Sequence, residues 1–187
     1  MKLLFDTCTL YPTVMREMLL GSVEIAESTP VWSERILEEW ARAARKLGPT
    51  GETQARGEIA LLRSQWPKAE ATWPSSLETR LWLPDRNDRH VLAAAIASSA
   101  DLIVTLNKQD FPRATLREEG VDRIDPDSLL MEFFENHAPE MTAFAEKLAA
   151  QVIALSGQSW DTVALLKKAR LPRFAKALFH QSNSKNT

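Results

Sequence analysis

Short apolar runs alternate with stretches of helical periodicity up to about residue 124. Residues 3–5 form an apolar run that is too short for a helix core and ends at Asp6, so the pattern predicts a first buried strand. Further short strands are predicted over 101–106 and 121–124. Because strands that alternate with helices favour a parallel sheet, the pattern predicts an α/β fold for this part of the chain.

The stretches between these strands carry the start and stop signals of helices. Ser33 is predicted to cap a helix whose apolar positions run to Leu47, and the pair Gly48 and Pro49 ends it. Helices are likewise predicted from Pro12 onward and over 52–66, 88–100 and 113–119. The intervening stretch over 67–84 is rich in proline and tryptophan, and it is predicted to be irregular with one short strand near 71–73.

After residue 124 the pattern changes, and only helices are predicted. Asp125 is predicted to cap a first helix. Pro139 opens a second, and Ser159 caps a third. The chain is therefore predicted to consist of one domain over 1–127 and a helical extension over 128–187 that ends in a frayed polar tail.

Composition limits the function only weakly. A chain of 187 residues with a net charge of −2 and a pI near 6.0 has no overall excess of positive charge for binding nucleic acid. Any polyanionic partner must therefore be bound by a local patch or by a metal ion. The single cysteine, Cys8, cannot form an internal disulfide, and neither a leader-like segment nor an apolar run of about 20 residues is present. A cytoplasmic protein without membrane attachment is expected.

Four acids stand beside apolar segments, at Asp6, Glu39, Asp88 and Asp110. Asp6 and Asp110 follow predicted strands, and open parallel sheets bind ligands beyond the carboxyl ends of their strands. Glu39 borders the apolar stripe of its helix, and Asp88 extends the stripe of the helix over 88–100. Each acid alone also fits an ordinary role as a cap, a turn residue or a solvated charge. Together they would repel one another unless a hard cation such as Mg²⁺ or Mn²⁺ neutralises them, which suggests phosphoryl chemistry.

Four segments of the sequence carry a resemblance to a known family, at 4–7, 33–40, 84–95 and 101–112. They resemble PIN domains, and more narrowly the branch that holds VapC-type toxins of toxin–antitoxin pairs. The resemblance spans about 1–127, and the run over 84–112 is its most specific part. It implies a PIN-like three-layer α/β/α fold with a central, mostly parallel sheet, together with a helical C-terminal extension. It also implies a metal-dependent endoribonuclease that activates water with Mg²⁺ or Mn²⁺.

The resemblance assigns roles position by position. The implied catalytic residues and metal ligands are Asp6, Glu39, Asp88 and Asp110. Thr7, Thr105 and Asn107 match supporting positions near such sites. Two positions depart from the pattern, because Cys8 stands where many members have Asn or Ser, and Asn107 stands where many have Asp. Whether Asn107 or Asp110 supplies the fourth ligand is therefore left open.

An RNA substrate, a cognate antitoxin protein and a homodimer also follow from the resemblance as expectations. Two alternatives stay open. A haloacid-dehalogenase-type phosphatase also begins with a strand ending in Asp, but its signature needs a second Asp where this chain has Cys8. A PIN-like protein that binds RNA or an antitoxin without cutting is the other alternative. His90 is expected to be a packing or surface histidine, and no catalytic role is assigned to it.

Overall fold

The computed structural model describes residues 1–157 and 160–184. The chain divides into two compact units, the first formed by residues 1–11 and 29–124 and the second by residues 12–28 together with the residues from 125 onward. The functional division into 1–127 and 128–187 stays a prediction, and the packing places residues 12–28 with the C-terminal helices. Among the described residues, no helix is both long enough and apolar enough to cross a bilayer.

The strands are β1 (Lys2–Phe5), β2 (Thr29–Val31), β3 (Leu102–Val104) and β4 (Asp122–Ile124). They form a single parallel sheet in the first unit, in the order β2-β1-β3-β4. Leu4 and Ile103 lie opposite each other in the central pair, and both are fully buried. The predicted α/β class with a parallel central sheet is confirmed.

Ten α-helices lie within residues 1–157 and 160–184, and 3₁₀ turns cover Ala44–Leu47 and Arg86–Asp88. Ser33 caps α3 as predicted, because its side-chain oxygen accepts a hydrogen bond from the Ile36 amide at 3.3 Å. The helices are α1 (Thr7–Leu10), α2 (Thr13–Ile25), α3 (Glu34–Ala43), α4 (Gly51–Gln65), α5 (Ser75–Arg80), α6 (Arg89–Ser98), α7 (Arg113–Glu118), α8 (Pro126–Ser156), α9 (Thr162–Lys168) and α10 (Pro172–Ser184).

Three local predictions for the first unit were wrong. The sequence pattern did not predict β2, because its central residue is Pro30; the strand lies at the edge of the sheet, where a missing amide hydrogen is tolerated. The stretch over 67–84 contains α5, and in place of a strand at 71–73 there is an isolated bridge between Trp32 and Glu70. Leu47 was assigned to an apolar stripe but is 72% exposed, because the helix tightens into a 3₁₀ turn before Gly48.

Among the described residues of the second unit, all regular secondary structure is helical. α2 packs against α8 so closely that a β-carbon at Gly21 would overlap the ring of Phe144. Asp125 caps α8 as predicted, and the two helices expected on either side of Pro139 form one element with a kink at His137. The predicted cap Ser159 lies outside the described residues, and Asp161 caps α9.

The predicted third helix is divided, since α10 begins at Pro172. The amino end of α10 receives a long-range cap. Asp127 is buried, and its carboxylate accepts hydrogen bonds from the backbone amides of Arg173 and Phe174 at 2.9 and 3.0 Å. The predicted all-helical character of this part of the chain is confirmed.

Candidate active site

Asp6 and Thr105 directly follow the two central strands of the sheet, β1 and β3. Parallel pairing brings the carboxyl ends of these strands together, and the Thr105 hydroxyl donates a 2.6 Å hydrogen bond to Asp6 Oδ2. Asp6 is only 8% exposed. Its carboxylate makes no capping bond to the helix that it precedes, so it is held as an acceptor at the edge of the sheet.

Asp88 reaches the same edge from the first turn of α6. It occupies the cap position of that helix, but its side chain makes no capping hydrogen bond. The Asn107 side-chain amide donates to Asp88 Oδ2 at 3.2 Å and to Asp110 Oδ2 at 2.7 Å. The Asn107 amide therefore links Asp88, which directly precedes α6, with Asp110 in the loop after β3.

The electrostatics show that three of the predicted acids lie close to one another. Burial is the largest cause that raises the pKa of Asp88 to about 6, and the negative charges of Asp6, Asp85 and Asp110 add to it. The charge of His90 has a smaller effect, and it lowers the pKa of Asp88. An acid surrounded by other acids binds protons, or cations, more readily than an isolated one.

Asp85 also belongs to this charge cluster, and it was not among the predicted site residues. It caps the 3₁₀ turn over Arg86–Asp88, with its carboxylate accepting a 2.8 Å hydrogen bond from the Asn87 amide. Its position three residues before Asp88, within the segment that carried the family resemblance, was the available signal.

Glu39 is fixed by a separate set of contacts. The Thr7 hydroxyl donates to Oε2 at 2.8 Å, His90 Nε2 lies 3.0 Å from Oε1, and Arg35 Nε lies 3.6 Å from Oε1. Burial by itself would raise the pKa of Glu39, but His90, Thr7 and Arg35 outweigh it and the pKa is lowered. Glu39 therefore remains an anion at neutral pH. Its charge is not among the leading causes of the Asp88 shift.

His90 is the functional candidate that the sequence reasoning missed. Its side chain is fully buried, which confirms a packing position, but Nε2 contacts a site acid. This contact lowers the pKa of Glu39, but within the described residues neither ring nitrogen meets the full geometry of a hydrogen bond. The available signal was a histidine on a helix that is apolar on nearly all sides, because a buried imidazole needs a hydrogen-bond partner.

Cys8 interacts with the Asp6 carboxylate. Its sulfur lies 3.1 Å from Asp6 Oδ2 and accepts a hydrogen bond from the Leu106 amide at 3.3 Å. Burial, followed by the charge of Asp6, raises the pKa of the thiol to about 12, so Cys8 is protonated and donates to Asp6. The second acid that a haloacid-dehalogenase-type phosphatase needs at this position is thus replaced by a neutral donor.

The chemistry of the acids suits a hard cation, whereas their present spacing does not. Oxygen donors and mutually repelling carboxylates suit Mg²⁺ or Mn²⁺. Across residues 1–157 and 160–184, however, no three histidine, cysteine, aspartate or glutamate side chains are grouped tightly enough to hold a metal ion as they stand. The Asn107 amide, which is bonded to both Asp88 and Asp110, is the neutral donor that separates these two acids.

Comparisons with known proteins identify the family of the chain. The family model described as "PIN domain" matches residues 2–109, a segment that contains Asp6, Glu39, Asp88 and Asn107 and ends one residue before Asp110. A protein of Mycobacterium tuberculosis (strain ATCC 25618 / H37Rv) named "Putative ribonuclease VapC50" is 30% identical over 87 residues. That match covers 37% of this chain and 52% of the relative, so it spans about half of the relative's length. No solved structure matches the chain significantly. Since the family model covers more than half of the sequence, the chain belongs to the PIN domain family.

Proposed function

We propose that this protein is a metal-dependent endoribonuclease that hydrolyses phosphodiester bonds of RNA. The observation that carries the proposal is the convergence of Asp6, Asp85 and Asp110 on Asp88. Burial first, and then the negative charges of these acids, raise the pKa of Asp88 to about 6. Clustered negative charge is unfavourable for folding unless it is used to bind a cation or a proton. The name of the relative, which is that of a ribonuclease, points in the same direction.

Asp6, Asp88 and Asp110 are the residues that would hold Mg²⁺ or Mn²⁺, with Glu39 as the fourth acid at the edge of the site. When bound, such an ion supplies an acidified water molecule and stabilises charge on the phosphate. Thr105 and Cys8 both donate to Asp6 Oδ2, so they orient this carboxylate. Glu39 stays ionised, because His90, Thr7 and Arg35 outweigh burial and lower its pKa, so its carboxylate can accept a hydrogen bond from a water molecule at the edge of the site.

The hydrogen bonds favour Asp110 over Asn107 as the remaining ligand. The Asn107 Nδ2 group faces the two acids as a donor, and its Oδ1 atom lies 3.4 Å from the Asp110 amide. The Asn107 side chain thus presents no free oxygen atom as a metal ligand. Asn107 is therefore proposed to orient Asp88 and Asp110 rather than to bind the metal.

We further propose that the protein is the toxin of a toxin–antitoxin pair, that it acts in the cytoplasm, and that it forms a homodimer. The support is the similarity to a relative with a VapC name. Expression should inhibit growth, and Asp6→Asn should relieve the inhibition. Light scattering on the purified chain measures the oligomeric state directly.

The decisive experiment is cleavage of a mixed RNA panel that includes tRNA and ribosomal fragments, with Mg²⁺, Mn²⁺ or EDTA. The wild-type protein and Glu118→Gln, which neutralises an exposed acid at the end of α7, should cut only with metal. Asp88→Asn should not cut under any condition. If Asp88→Asn cuts as fast as the wild type, the acids are not the active site. Metal-dependent RNA binding without cleavage by the wild type would favour the binding-only alternative.

A further inference from the structure

An open groove of about 520 Å³ lies beside α3 in the first unit. One wall is formed by α3 residues between 33 and 42, and the other by the irregular segment 71–73. The volume lies within the range of small-ligand sites and is large enough for one nucleotide. The wall formed by residues 71–73, called the far wall below, makes none of the contacts described for the acids. The groove is therefore a separate feature of the surface.

Arg35 connects the groove to the acidic site. Its side chain lines the groove, its Nε atom lies 3.6 Å from Glu39 Oε1, and its terminal nitrogen donates to the backbone carbonyl of Asn87 at 3.3 Å. Asn87 directly precedes Asp88. Arg35 therefore contacts both the groove and the residue next to Asp88.

The far wall of the groove presents an oriented aromatic ring. Trp73 lines the groove, and its indole nitrogen donates to Glu78 Oε2 at 3.2 Å. The other oxygen of Glu78 accepts from Arg35 at 3.1 Å, so one carboxylate fixes both side chains. Tryptophan rings and guanidinium planes are the groups on which proteins stack unpaired bases.

The charges of the groove match a neutral polar ring better than a phosphate. Glu34 and Glu38 balance Arg35 and Arg42, and Glu38 is already paired with Arg42 at 3.3 Å. A phosphate would be repelled by these carboxylates. Glu38 is already engaged by Arg42 and Arg56, so Glu34 is the carboxylate that can accept from the amino group of a base. The balanced charge and the indole wall together favour a nucleobase.

We propose that this groove binds one unpaired base of the RNA strand next to the cleaved bond, with Trp73 as the stacking surface and Glu34 reading the edge of the base. The proposal rests on the proposed ribonuclease function. It assigns to the groove, rather than to the acids, the sequence preference of cleavage.

The test compares Trp73→Ala with Trp82→Ala, because Trp82 is also on the first unit and is 61% exposed but does not line the groove. Each full-length variant is mixed with fluorescein-labelled eight-nucleotide RNAs of A, C, U or mixed sequence in EDTA. Cleavage of a randomised RNA pool with Mn²⁺ is sequenced in parallel. Trp73→Ala should weaken binding at least about fivefold and flatten the base preference at one position next to the cut. Trp82→Ala should match the wild type, and Trp73→Phe, which keeps a stacking ring, should recover most of the binding.

Glu34→Gln adds a readout that does not depend on the aromatic ring. It should change which base is preferred at that position, measured as the ratio of cleavage at the four bases in the sequenced pool. If Trp73→Ala and Glu34→Gln keep wild-type affinity and preference while metal-dependent cleavage persists, the groove proposal is wrong and the ribonuclease proposal stands. If the wild-type protein neither binds nor cuts any RNA of the pool, both proposals are wrong.

Discussion

Asp88→Asn should stabilise the metal-free protein, although it should abolish activity. Burial, followed by the charges of the neighbouring acids, raises the pKa of Asp88 from 3.8 to about 6. A shift of about 2 units corresponds to roughly 3 kcal/mol against folding when the carboxyl is ionised. Partial solvent access reduces this figure, so a gain of ~1–2 kcal/mol is expected at pH 7.5, or roughly 3–6 °C in Tm. The new amide can still accept the hydrogen bond from Asn107.

The sign of the pH dependence follows from the direction of the shift. Below about pH 4 the carboxyl is protonated in both folded and unfolded chains, and the penalty is absent. The penalty grows as the pH rises toward 6, the pKa of Asp88 in the folded protein, and is complete above it. The advantage of Asp88→Asn over the wild type in EDTA should therefore be small at pH 4 and largest above pH 6.

Thermal unfolding by circular dichroism in EDTA, Mg²⁺ and Mn²⁺ measures both effects. Ions should raise the Tm of the wild type and of Glu118→Gln, because a ligand that binds only the folded state stabilises it by mass action. Asp88→Asn should show a higher Tm in EDTA and little response to metal. A lower Tm for Asp88→Asn in EDTA at pH 7.5 would refute the conclusion that the acids repel one another, and an unchanged metal response would exclude Asp88 as a ligand.

Three further predictions concern single residues. Asp127→Ala removes the cap of two backbone amides of α10 and should cost ~1–2 kcal/mol in urea unfolding; a change below about 0.5 kcal/mol would show that the cap is unimportant. Gly21→Ala should cost ~1–3 kcal/mol because its β-carbon meets the Phe144 ring, whereas Gly57→Ala, in open space on α4, should be neutral or slightly stabilising; equal effects would contradict this packing. Cys8, with a pKa of about 12, should react with a thiol reagent at pH 8 at least about 100-fold more slowly in the native protein than in urea, and equal rates would show that the thiol is not shielded by burial and Asp6.

Much of the secondary structure in both units could be predicted from local sequence. The run at residues 3–5 followed by Asp6, the cap at Ser33 and the cap at Asp125 depend on contacts within a few positions, and the structure has all three. The alternation of strands and helices was sufficient to predict a parallel sheet, and the parallel order places acids after strands at one edge. β2 was missed because a proline strand is recognised only when the sheet shows that it lies at an edge.

Several contacts of the candidate site depend on tertiary structure and could not be predicted from local sequence. The sequence by itself determined that acids follow strands and border helices, because those relations depend on the local backbone. Only the folded chain decided that His90 and Thr7 hold Glu39, that Asp85 joins the charge cluster and that residues 12–28 pack with the C-terminal helices. Glu39 and His90 are 51 residues apart in sequence. The orientation of a carboxylate and the shift of a pKa are set by such distant groups, and no local pattern encodes which of them will meet.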